Sequence, residues 1–191
     1  VAMSNKSTLS KIKIIGGKWK GTNLTFPDEP ELRPTGNRTR ETLFNWLGQI
    51  VGNKNCLDIF AGTGSLGLES LSRGADKVTF VEKNSHHLIK IKEYVEKIKA
   101  EKDAFIIKKD VLTWLDETNQ EFDLIFVDPP FYKKLAEKVL LKIKSNSLLS
   151  KFGKIYLEVE KELDLNFLVK DWDIVKETKS GKKQYLLLKE K

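Results

Sequence analysis

An open α/β sheet, built of parallel strands with helical crossovers and closed by a hairpin, is the fold class this sequence predicts. From Asn55 onward, short apolar runs alternate with segments of helical period, the pattern of strand–helix–strand units with right-handed connections. A glycine-rich turn separates the first run from its helix. The last two runs are joined by a short polar turn instead of a helix, which marks a hairpin.

Taken in order, residues 1–11 are polar and read as a flexible tail. Runs 12–15 and 23–26 flank Gly16-Gly17-Lys18-Trp19-Lys20-Gly21, whose three glycines suggest a small β-hairpin. Pro27, Pro30 and Pro34 punctuate a loop, because each fixes φ and removes a backbone donor. Asn37 is placed to cap a helix that carries Leu43, Phe44, Trp46, Leu47 and Ile50 on one face and stops near Gly52. Residues 12–52 therefore form an N-terminal extension, and 53–191 the main domain. Within that domain the strands fall at 56–60, 77–82, 104–108, 122–128 and 154–160, with helices through about Arg73 and over 85–101, 111–118 and 133–144. The run Phe-Asp-Leu-Ile-Phe-Val-Asp at 122–128 is the strongest strand signal, almost continuously apolar as a buried parallel strand should be. Residues 172–178 and 184–188 make the closing hairpin.

The composition narrows the function classes. With 191 residues, 40% of them hydrophobic and 32% charged, the chain is too apolar to be disordered and long enough for a sizeable core. No apolar run approaches the roughly 18 residues of a membrane helix. The single cysteine, Cys56, excludes an intrachain disulfide, and with only two histidines no Cys/His metal site is expected. His86 and His87 read as exposed residues at a helix start. The polar start lacks a secretory signal, so a cytoplasmic protein is expected. The net charge of +7 comes from 34 basic and 27 acidic residues. Only four of the basic residues are arginine, and Arg33, Arg38 and Arg40 share one short window. Arginine binds phosphate bidentately where lysine cannot, and cations in a helix's first turn oppose its dipole. The window is therefore read as an anion-docking segment. Lys179, Lys182 and Lys183 surround the final turn and read as a solvated loop.

Gly62-Thr63-Gly64-Ser65-Leu66-Gly67 follows a strand, opens a helix and matches G-x-G-x-x-G, and Glu82 ends the next strand. Such a loop admits a ligand close to backbone amides, and the second-strand acid suits ribose hydroxyls, so an adenosine-type cofactor is expected. A nicotinamide dinucleotide fits this motif alone. Asp58, inside the first strand, argues otherwise, because it would repel a pyrophosphate yet suits a ligand with an ammonium, a sulfonium and no phosphate, such as S-adenosylmethionine. Asp110 and Val111 follow the third strand, placed to bond an adenine amino group and cover its ring. The fourth strand runs into Asp128-Pro129-Pro130-Phe131 at the carboxyl ends of the strands, where open α/β sheets bind ligands. That tetrapeptide suits an exocyclic amine on a base. Asp128 and a Pro129–Pro130 carbonyl accept its two N–H groups, and Phe131 stacks on the ring.

With these motifs, residues 13 to about 160 resemble the RsmD-type class I methyltransferases, which methylate the exocyclic N2 of a guanine in 16S ribosomal RNA. The resemblance is carried by Lys13–Gly21, Arg33-Pro34-Thr35, the stretch from Arg38 to Leu47, Leu57 to Glu69, Ser72-Arg73-Gly74-Ala75 and Asp128 to Phe131. The glycine loop and Asp-Pro-Pro-Phe are shared by many amino-methyltransferases, while the arginine-bearing segment is the specific part. Lys13 stands where the family usually has arginine, and Thr63 where serine is common. The resemblance implies a Rossmann-like, mostly parallel seven-stranded sheet and S-adenosyl-L-methionine as cofactor, bound by Asp58, Ala61, Gly62, Thr63, Gly64, Glu82, Lys83, Asp110 and Val111. It implies catalytic roles for Asp128, Pro129, Pro130 and Phe131. Lys18, Lys20, Arg33, Arg38 and Arg40 are the RNA-binding set. The implied partner is 16S ribosomal RNA, free or within a small subunit, with no membrane or metal, and the protein is expected to be a monomer. DNA adenine-N6 or protein glutamine methylation, a NAD-dependent oxidoreductase and a non-catalytic RNA-binding module are the alternatives.

Overall fold

The computed structural model describes residues 9–27, 35–131 and 134–191. Strands β1 (Leu9–Lys13) and β2 (Asn23–Pro27) pair antiparallel as the expected hairpin. Because β1 begins at Leu9, residues 9–11 belong to the hairpin and not to a tail. Helix α1 (Asn37–Leu47) is followed by a single 3-10 turn, Gly48–Val51. Gly36, not Asn37, is its N-cap, and the Asn37 side chain accepts a bond from Arg40 instead.

The main sheet holds β3 (Asn55–Ile59), β4 (Lys77–Glu82), β5 (Ala104–Lys108), β6 (Phe122–Val127), β7 (Leu149–Glu160), β8 (Trp172–Ser180) and β9 (Lys183–Glu190). Their order is β5-β4-β3-β6-β7-β9-β8, parallel through β7, with β9 antiparallel to both β7 and β8. The seven strands and closing hairpin match expectation. Helices α2 (Ser65–Ser72), α3 (Ser85–Lys97), α4 (Val111–Glu117) and α5 (Leu135–Ser145) make the crossovers. β7 starts five residues earlier than its apolar run, since Leu149 pairs with Phe122 ahead of a register shift that lets Lys154 meet Leu124.

Two apolar layers cover the sheet. One joins Leu57, Ile59, Val81, Ile125 and Val127 to α4 and α5. The other unites Phe80, Leu124, Phe126 and Tyr156 with α2, α3 and the N-terminal elements, including Ile12, Leu24, Phe26, Leu43 and Phe44. The extension thus shares its core with the sheet domain. Among the described residues, no helix is long and apolar enough to cross a membrane.

Candidate active site

The strand order reverses between β3 and β6, so the switch-point crevice lies at their carboxyl ends. Five carboxylates gather along this edge because each lies in the last residues of a strand or just beyond it: Asp58, Glu82, Asp110, Asp128 and Glu158.

The turn after β3 needs left-handed backbone at Phe60, Gly62 and Gly64 (φ 59°, 51° and 69°), which is why glycine recurs there. Gly64 caps α2, and a Cβ on it would stand 2.8 Å from Ile91 Cγ1. The loop is tied to acids on both sides. Gly67 N–H donates to Asp58 Oδ2 at 2.9 Å, and Gly62 N–H to Glu82 Oε2 at 2.9 Å. Asn84 N–H donates to Glu82 Oε1 at 2.8 Å. One amide on each Glu82 oxygen leaves lone pairs for further donors such as ribose hydroxyls.

The environments push these acids in opposite directions. Burial, seconded by Glu82 and opposed by the Gly67 amide, raises the Asp58 carboxyl to about 8. Burial also opposes the charge of Glu82, but His87 and the Asn84 and Gly62 amides outweigh it and hold Glu82 below the ordinary range. His87 is therefore not the exposed residue expected from sequence. Its side chain is 13% exposed, with Nδ1 3.8 Å from Glu82 Oε2.

The other predicted cofactor residues occupy this edge unevenly. Ala61 and Thr63 are buried in the loop, and Lys83 is exposed beside Glu82. Asp110 caps α4, one of its oxygens accepting from the Leu112 and Thr113 amides at 3.0 and 3.2 Å. Val111 is packed into the core beside Trp114 and Leu115, which leaves little of it to cover a ring.

Asp128 to Phe131 follow β6 directly, with Pro129 buried, Pro130 exposed and Phe131 half-buried. Burial, then Glu158, raises the Asp128 carboxyl well above its usual range, and Lys183 opposes them. Lys183 Nζ lies 4.0 Å from Asp128 Oδ1 and 5.1 Å from the centre of the Phe131 ring, and it pairs closely with Glu158 Oε1. Lys183 is thus part of the site and not of a solvated loop. Glu158, 1% exposed, also accepts from Tyr156 OH at 3.2 Å and from Thr35 Oγ1 at 3.3 Å. The sequence reading missed Glu158, Lys183, Tyr156 and Thr35. A carboxylate within the apolar run 155–159 was the available signal, of the kind that singled out Asp58.

The predicted RNA-binding set divides. Lys18, Lys20 and Arg38 are exposed, and Lys18 Nζ lies 4.9 Å from the centre of the Trp19 ring. Arg33 lies outside the described residues. Arg40 is not placed to meet RNA. It is 0% exposed, and its guanidinium bonds Glu69 Oε2 at 3.3 Å and both Lys13 O and Asn37 Oδ1 at 2.6 Å. Glu69 in turn accepts from the Ile15 and Gly16 amides and from Arg73 Nε at 2.8 Å. The first-turn arginine is structural. It clamps the β1–β2 unit to α1 and α2 with a charge whose burial cost is offset by several hydrogen bonds.

A glycine loop after β3, acids at the ends of β3 and β4, and Asp-Pro-Pro-Phe after β6 on a seven-stranded sheet with an antiparallel final strand pair define a methyltransferase fold. The family model described as "Conserved hypothetical protein 95" matches residues 12–189, and the chain belongs to that family. The Ribosomal RNA small subunit methyltransferase D of Escherichia coli (strain K12) is 39% identical over 186 residues, spanning 96% of this chain and 92% of that one. Its namesake from Haemophilus influenzae is 38% identical, spanning 93% of each. The solved structure of the putative methyltransferase yhhF from Escherichia coli superposes with a TM-score of 0.87 at 34% identity, covering 95% of this chain and 98% of that one.

Proposed function

We infer that this protein transfers a methyl group from S-adenosylmethionine to the exocyclic N2 of a guanine in small-subunit ribosomal RNA. The observation that carries this reading is the position of Asp128-Pro129-Pro130-Phe131 at the switch point, on the strand edge where the carboxylates gather. Its donor set fits the cofactor. A cation would draw the buried Asp58 back to its charged form, and Glu82 suits ribose hydroxyls. Asp58, Glu82, the Gly62–Gly64 loop and Asp110 would hold that group. When bound, it supplies an electrophilic methyl on sulfur, the C–S electron pair returning to sulfur on transfer.

The protein's own contribution is orientation and proton handling. Asp128 and a carbonyl of the Pro129–Pro130 segment accept the two N–H groups, which turns the nitrogen lone pair out of conjugation with the ring. Phe131 stacks on the base. The Asp128 carboxylate then takes the proton that the alkylated nitrogen sheds. The rigid prolines fix this geometry in advance of binding. Arg38, in the first turn of α1, supplies a phosphate contact near the crevice, whereas Lys18 and Lys20 sit beside Ser72 at the far end of α2 and would meet RNA only beyond it. The protein works as a monomer in the cytoplasm on 16S RNA, free or within a small subunit.

The test is to incubate the protein with labelled cofactor and either free unmodified 16S RNA or unmodified small subunits, and to map the label. Label on a guanine N2 is expected, and the substrate that takes it up shows whether free RNA or the subunit is modified. Label on adenine, DNA or protein glutamine would overturn the substrate assignment.

A further inference from the structure

β7 and β9 are antiparallel with Glu158 opposite Tyr185. Lys183, two residues earlier on β9, therefore shares a face with Glu158 on the diagonal, within reach of a long side chain. The register places an ammonium between two carboxylates that would otherwise face each other across the site. One is Glu158, buried and held by Thr35 and Tyr156. The other is Asp128, whose side chain is 26% exposed and open to substrate. Among the described residues, the titratable groups facing Asp128 are Glu158 and Tyr156 from β7, Lys183 and Tyr185 from β9, and Asp58 from β3. Lys183 is the one cation among them. The same ammonium lies against the Phe131 ring, an attraction of cation for aromatic face.

We propose that Lys183, seated by Glu158, is a positioning residue for methyl transfer: its ammonium favours the accepting, ionised form of Asp128 toward the base amine and braces the Phe131 ring on which the base stacks. The inference rests on the proposed function. An amine is held by a carboxylate that accepts its N–H, and a protonated Asp128 would present a donor of its own. Two carboxylates sharing a poorly solvated site do not both stay ionised without a cation between them. Burial opposes the charge on Lys183, yet Asp128 and Glu158 outweigh it and strengthen its hold on the proton. Thr35 donates to Glu158 from the start of the segment that leads into α1.

The experiment is single-turnover methylation of unmodified small subunits from about pH 6 to about pH 9, with wild type, Lys183→Met, Lys183→Arg, Glu158→Gln and the Lys183→Met/Glu158→Gln pair. Calorimetric cofactor binding by each variant reports its fold. Lys183→Met should move the acid limb of the rate to higher pH, losing about tenfold near neutrality for each unit of displacement, and regain rate in alkali. Adding Glu158→Gln should move the limb back, and Lys183→Arg should hold it near wild type. Loss by the same factor at every pH, or no loss, overturns the proposal. Should Lys183→Met fail to bind cofactor, Lys183→Gln takes its place, with the same displacement to higher pH expected and an unmoved limb overturning the proposal, and Glu158→Gln reports only the charge of Glu158. Wild type that labels something other than guanine N2 refutes the functional reading instead, and the acid limb is then measured on the substrate it does label.

Discussion

Arg38 and Arg40 stand two residues apart in α1, and replacing each with alanine should give opposite phenotypes. Arg40 is wholly buried with three partners, whereas Arg38 is exposed. Removing one member of a buried ion pair costs about 3–5 kcal/mol when the other charge is left unmatched. In Arg40→Ala, Glu69 keeps Arg73 and the Ile15 and Gly16 amides. The loss then falls near the lower end, at about 3 kcal/mol, and comes from the stranded Lys13 carbonyl, the Asn37 amide and the emptied volume. Glu69→Ala should cost more, since it strands the Arg40 guanidinium and both amides together. Arg38→Ala should leave stability within about 0.5 kcal/mol but lower the salt dependence of RNA binding by close to one counterion. Urea unfolding followed by circular dichroism measures the first effects, and binding to a ribosomal RNA fragment across a salt series measures the second. An Arg40→Ala protein of wild-type stability with a shallower salt slope would refute the structural role.

Asp58→Asn should become steadily more stable relative to wild type as pH rises from about 5 to about 8, by at most about 1.4 kcal/mol per unit. The sign follows from a folded-state pKa of about 8 for Asp58, above its unfolded value of 3.8. Between those values the folded protein holds a proton that the unfolded chain has lost, so wild type weakens as pH rises and Asn escapes the penalty. Melting curves of the cofactor-free proteins across that range test it, and parallel pH profiles would contradict it. Gly67→Ala should destabilise by about 1–3 kcal/mol through overpacking, because the added Cβ would stand 2.2 Å from the fully buried Phe80 ring. A neutral urea midpoint would show that the ring moves freely.

The sheet was legible because its strands carry dense apolar runs whose order follows from short right-handed crossovers. Gly62, Gly64, Glu82 and Asp128 were legible because each lies at a strand end and local spacing carries its meaning. Arg40 was misread for the opposite reason. Its partner Glu69 is on another helix, and a first-turn arginine looks unfavourable until that carboxylate is in view. Glu158 and Lys183 meet only through the β7–β9 register, which no local pattern encodes. His87 was misread as exposed for a like reason, since its burial depends on how α3 leans over the end of β4.

The proposed role of Asp128 is to present a guanine amine for methylation. It is tested most directly by nucleoside mass spectrometry of small-subunit RNA after reaction with wild type and with Asp128→Ala, each first shown to bind S-adenosylmethionine. N2-methylguanosine is expected with wild type, and a loss of about a hundredfold or more with Asp128→Ala at near-normal cofactor affinity. The same modified nucleoside formed at an unchanged rate by Asp128→Ala would contradict it.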